Sequence, residues 1–148
     1  MRQMMVCKCR WQPDREEDME SKFQFSNPSL VNLSFSINED FKDEEEVKIK
    51  MNIETKTDRE PGSSEATVKL SISIGEESDK SPFYVYAEEI ARFRWEADAY
   101  SEEGVQRLLA QNAPSLLLSY IRPIIASVTS ASPFNGYHIP FINFAQKN

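Results

Sequence analysis

Three stretches of this chain alternate strictly between apolar and polar residues, and they constrain the fold more than anything else in it. Val31, Leu33, Phe35 and Ile37 are separated by Asn32, Ser34 and Ser36; Val47, Ile49, Met51 and Ile53 by Lys48, Lys50 and Asn52; Val68, Leu70, Ile72 and Ile74 by Lys69, Ser71 and Ser73. A period of two is the pattern of a β-strand with one buried face. Strands that share one apolar face build a sheet that needs cover on one side only. A fourth strand is expected in "FYVYAEEIARFRW", residues 83–95, with its alternation broken by a bulge at Glu88–Glu89. Phe23 and Phe25 extend the first strand upstream, where Pro28 demands an edge position or a break. The connections "EDFKDEEE", "DREPGSSE" and "GEESDKSP" are short and polar, so the expected arrangement is a four-stranded antiparallel meander.

The cover follows the strands. Ser101 with Glu102 and Glu103 is a helix start with acids in its first turn, and Val105, Leu108 and Leu109 give a short apolar stripe. Pro114 suits the first turn of a second, longer helix. There Leu117, Tyr120, Ile121, Ile124, Ile125 and Val128 fall on one face, with Ser115, Ser119, Arg122 and Ala126 opposite. Leu116 and Leu118 widen the stripe beyond what one sheet face needs, and Pro123 predicts a bend. Strands followed by helices make the fold class α+β. Residues 1–21 read as a flexible charged arm and residues 22–148 as a single domain.

The function classes narrow by exclusion. A net charge of −7 opposes nucleic-acid binding. No apolar run has the ~18 residues that a membrane-spanning helix needs. The first ten residues lack the apolar core of a signal peptide, so a cytoplasmic protein is expected. Cys7 and Cys9 stand too close to bridge each other readily and have no second cluster with which to bind zinc. His138 is the only histidine, and no phosphate-binding glycine loop or calcium loop is present. We therefore expect no enzyme, no cofactor and no metal. The tail "SPFNGYHIPFINF" carries Phe134, Tyr137, Ile139, Phe141, Ile142 and Phe144 on a backbone that Pro and Gly keep irregular. Such residues either pack back on the domain or form part of an interface.

The run "APSLLLSYIRPIIASVTSASPFNGYHIPFINF", residues 113–144, resembles the C-terminal half of the SecB family of protein-export chaperones. Pro114, Leu117, Tyr120, Arg122, Ile125, Phe134, Asn143 and Phe144 stand at family-like spacing, and the "FQF" opening, four strands and two helices agree upstream. The resemblance implies an ATP-independent holdase that binds unfolded or nascent polypeptides in apolar grooves. It also implies a dimer or tetramer: sheets pair across an edge, and dimers pack through their long helices into a dimer of dimers. On that basis Phe25, Phe35, Leu116, Leu118, Phe134, Tyr137, Ile139, Phe141 and Phe144 are candidate client-binding residues. Leu117, Tyr120, Ile121, Ile124, Ile125 and Val128 are candidates for the oligomer interface.

The family docks its SecA motor through acids on the exposed sheet face. The corresponding positions here are Asn32, Ser36 and Tyr86, with Tyr84 beside them, so motor docking is not expected to carry over. The acids at Glu39–Glu46 replace them only if that loop lies against the sheet, and the family's extended tail is expected to be short or absent. The missing acids suit a chaperone with a dedicated client, such as the antitoxin of a toxin–antitoxin pair. The alternative is an interaction module that kept the fold and binds one folded partner through Asn32, Ser36, Tyr84 and Tyr86.

Overall fold

The computed structural model describes residues 20–42, 46–76 and 81–146. The expectations for most of the N-terminal arm, for Cys7 and Cys9, and for part of the acidic loop lie outside these residues. Five strands form one antiparallel sheet: β1 (Phe23–Phe25), β2 (Ser29–Ile37), β3 (Met51–Asp58), β4 (Glu65–Ile74) and β5 (Phe83–Trp95). β3, β4 and β5 are joined as a meander. The first strand departs from that order, because β1 and β2 lie beside β5 instead of beside β3. Read from the C-terminal end, this is the Greek-key order. It makes β5 the central strand and leaves β2 and β3 at the two edges.

β1 and β2 are one edge strand interrupted at Pro28, as the proline requires. The break is held by Ser26, whose backbone N–H donates to the Arg92 carbonyl at 2.8 Å and whose Oγ accepts from the Arg92 N–H at 3.1 Å. The expected bulge is real but sits on the opposite strand. β5 keeps an unbroken register with β4, and the shift falls on β2 between Leu30 and Asn32, facing Glu88 and Glu89. Strict alternation along β5 therefore sends Glu88 outward and Glu89 inward.

The core lies between the inner face of β4 and β5 and the helical segment. Val68, Leu70, Ile72, Ile74, Phe83, Ala87 and Phe93 are essentially fully buried there. At the end of β4, Gly75 has φ 82°, and an added Cβ would collide with the Phe83 carbonyl, so only glycine fits that turn.

The short and long helices appear as α1 (Glu102–Arg107) and α2 (Ala113–Ser130). The Ser101 side chain caps α1 by accepting from the Gly104 N–H at 3.1 Å. No break separates the helices: Leu108–Asn112 form a π-helical turn in which the Ala113 N–H reaches back to the Leu108 carbonyl. The wider turn answers a packing problem, because Pro114 has no N–H to give and its ring crowds the carbonyl four residues back. Pro123 lies on the exposed side of α2 next to exposed Ser119, so the carbonyl it leaves unpaired is on the solvent side. No described helix is long and apolar enough to cross a membrane.

Candidate peptide-binding trough

α2 lies over β4 and β5, so both edges of the sheet's inner face extend beyond it. The two flanks are finished differently. On the β3 flank the chain's own tail occupies part of the space. Buried Thr129 accepts the Tyr137 N–H through Oγ1 at 2.7 Å and donates to the Ile125 carbonyl at 2.7 Å. Arg122 donates to the Pro140 carbonyl at 2.7 Å and places its guanidinium 5.4 Å from the Phe141 ring centre. The tail thus runs back along α2, and Ile142 and Phe144 meet Met51 and Ile53 of β3 in a groove of about 710 Å³. Of the two fates open to the tail aromatics, packing back on the domain is the one adopted. Phe141 is the exception, at 98% exposed.

Among the described residues the β2 flank has no such filler. The register puts Leu30, Leu33, Phe35 and Ile37 on the inner face, opposite Glu89, Ala87, Val85 and Phe83. Phe25, Leu30, Leu33 and Ile37 remain 38–40% exposed. Across from them Tyr120 of α2, equally exposed, meets the Phe25 ring at 6.4 Å. The trough is closed at one end by rings: Phe35, Phe134 and Tyr137 surround Phe83 at 6.2–6.5 Å, and Phe41 packs edge-on against Phe134.

The candidate client-binding residues are therefore not one surface. Phe25 and Phe35 belong to the open trough, and Phe134 and Tyr137 close its end. Leu118 and Ile139 are buried and Leu116 is half-buried against the core. Phe141 and Phe144 lie on the other flank. Leu33 and Ile37, which the alternation marked only as core-facing, and Leu30, which takes the inner position expected of Val31 because the bulge leaves Val31 unpaired and exposed, are the trough's main apolar surface. Sequence reasoning missed them because alternation names a face but not whether a neighbour covers it. Within the candidate oligomer seam, Leu117, Ile121 and Ile125 are fully buried against the chain's own sheet. A seam on this helix can use only Tyr120, Ile124 and Val128.

The outer sheet face does unite Asn32, Ser36, Tyr84 and Tyr86, through the pairs Asn32–Glu88, Ser34–Tyr86 and Ser36–Tyr84. It is not devoid of acids. Glu88 Oε1 accepts from Tyr86 Oη at 2.6 Å and from Ser71 Oγ at 3.3 Å, and Lys69 Nζ stands 3.4 Å away. The Tyr86 hydroxyl above all, with Lys69 adding to it, holds the Glu88 carboxyl below its ordinary range; the same bond raises Tyr86. Glu54 and Lys56 share this face, so its charges are mixed rather than acidic. His138 is exposed, and no cluster of three metal-binding side chains occurs among the described residues.

A one-sided antiparallel sheet under a long helix, with an apolar trough beside it, defines an α+β protein whose inner sheet face is only partly covered. Residues 15–147 match the family described as preprotein translocase subunit SecB, and the chain belongs to that family of chaperones. The solved structure of a SecB-like chaperone from Mycobacterium tuberculosis, in complex with a ChAD peptide from the HigA1 antitoxin, superposes with a TM-score of 0.65 at 17% identity. The match covers 82% of this chain and 91% of that one. An uncharacterized protein of Methanocaldococcus jannaschii is 28% identical over 127 residues, 82% of this chain and 79% of the relative.

Proposed function

We propose that this protein is an ATP-independent holdase that keeps non-native polypeptide segments in the trough between β2 and α2. The observation that carries the reading is the row of half-exposed apolar side chains, Phe25, Leu30, Leu33 and Ile37, facing Tyr120 on a flank that no other described segment covers. Covering what remains exposed of each such side chain contributes on the order of 1 kcal/mol. One short segment thus gains roughly 5 kcal/mol before ordering costs, so even with none of those costs its dissociation constant would be no tighter than about 0.2 mM. Useful holding requires a longer segment spanning several troughs, which favours a dimer or tetramer. Among the described residues β2 pairs only with β5, which supports assembly through its other edge, with Tyr120, Ile124 and Val128 as a second contact.

A dedicated client, such as an antitoxin, is favoured over a general export role. The antitoxin peptide held by the similar mycobacterial chaperone supports this, as do the neutral residues at the motor-docking positions and the mixed charge of the outer face. Suppression of aggregation of a reduced model protein at stoichiometric excess is the test. Full suppression by the wild type and its loss in a Leu30→Ser/Leu33→Ser variant are expected. Unimpeded aggregation in the presence of a folded wild-type oligomer refutes the reading.

A further inference from the structure

Glu89 is out of keeping with its surroundings. The cross-strand pairs place only apolar residues and threonines with it on the inner face of the sheet, so among the described residues it is the one ionisable side chain of that face. It is 2% exposed, and its Oε2 is buried without a hydrogen-bond partner. Its neighbours across the ladder are Leu70 on β4 and Leu30 on β2, and along β5 they are the small residues Ala87 and Ala91. No basic residue of the sheet can reach it: Lys56, Lys69, Arg92 and Arg94 alternate to the outer face. Arg122 of α2 is occupied on the opposite flank by Pro140. Burial alone raises the carboxyl above its ordinary range.

A buried carboxyl with no partner is a cost that an apolar residue of similar size would remove. Such a group is out of place in a core but suits the floor of a trough that another chain enters. Its position fits, because Leu30, its partner on β2, is itself part of the exposed trough wall beside the β2 bulge. We propose that Glu89 is a register anchor, seating one Lys or Arg of a bound extended segment, so that tight binding requires a cation at a fixed place within an apolar run. The alkyl stem of such a side chain packs against Leu30 and Leu33, and its head meets the carboxyl between the single-methyl side chains of Ala87 and Ala91. A long cationic side chain reaches a carboxyl set below the surface, which a backbone amide of the same segment does not. This inference rests on the holdase reading and turns a general apolar trough into one with a preferred alignment.

The experiment compares two fluorescent twelve-residue peptides of Leu, Phe and Ser that differ only at one central position, Lys in one and norleucine in the other. Each is titrated by anisotropy against full-length wild type, Glu89→Gln and Glu89→Leu. The wild type should favour the lysine peptide by tenfold or more, with the preference abolished in Glu89→Gln and reversed in Glu89→Leu. Moving the lysine along the peptide should shift the bound register, read from a spin label on the peptide terminus. An unchanged lysine-to-norleucine ratio in both variants, with binding intact, overturns the role of Glu89 and leaves the holdase reading standing. Failure of the folded wild type to bind either peptide overturns both.

Discussion

Replacing Thr129 with valine tests whether the tail is held as described. Thr129 is fully buried in the last turn of α2, and its hydroxyl has two jobs at once. It donates back to the Ile125 carbonyl and accepts the Tyr137 N–H, each at 2.7 Å. The first bond is dispensable, since the helix supplies that carbonyl with a backbone donor of its own. The second is not. Valine keeps the shape but leaves the Tyr137 N–H without an acceptor, which costs about 1–3 kcal/mol. Part of this is offset because the hydroxyl no longer has to be desolvated, so a net loss of about 1–2 kcal/mol is expected. The loss should fall on the tail as a unit, because Tyr137 packs against Phe83 and Ile139 is buried beyond it. Urea unfolding should show a lower midpoint at unchanged slope, and hydrogen exchange should show faster exchange at Tyr137. Thr129→Ser, which keeps the hydroxyl, should retain the Tyr137 protection. Equal midpoints for wild type and valine variant, with Tyr137 still protected, would refute the anchoring argument.

Two further outcomes concern the carboxylates. The raised Glu89 carboxyl means that the folded chain holds this proton more tightly than the unfolded one, so its burial penalty is complete above the raised value and relieved below the unfolded one, about 4.3. The stability advantage of Glu89→Gln over wild type should therefore grow as pH rises through that window and level off above it; a pH-independent difference contradicts the assignment. Glu88 has the opposite sign, since its depressed carboxyl stabilises the fold above its unfolded value and loses that contribution as pH falls through the folded one. Tyr86→Phe removes the hydroxyl chiefly responsible, so the Glu88 titration followed by NMR should move up towards the ordinary carboxylate range, with no movement counting against the bond.

The strands and helices were legible because periodicity is a local property. Val68–Ile74 could only be a half-buried strand, and the stripe on Leu117, Ile121 and Ile125 could only be a helix face. Strand order was not legible, since alternation along β2 is the same whether it lies beside β3 or β5. That hid the main feature of the candidate site, because only the edge position turns Leu33 and Ile37 from core into exposed surface, and only the bulge brings Leu30 to their face. Glu89 was concealed by a sound rule with an exception. An acid in an apolar register normally signals a bulge, yet here the bulge was displaced to β2 and the acid stayed inside. The width of the helix stripe was real, but the tail covers part of it, and a pattern within the helix cannot show which part.

The central place of β5 bears on how the protein is made. β2 can form its ladder only with a strand that leaves the ribosome about fifty residues later, a delay of several seconds at roughly 5–20 residues per second. Throughout that interval Leu30, Val31, Leu33, Phe35 and Ile37 are an unpaired apolar segment. The first strand completed is the last to find its place, and closing so long a loop makes docking of β2 a late and slow step in folding. The same side chains that later line the trough are thus the ones that stay uncovered longest during synthesis.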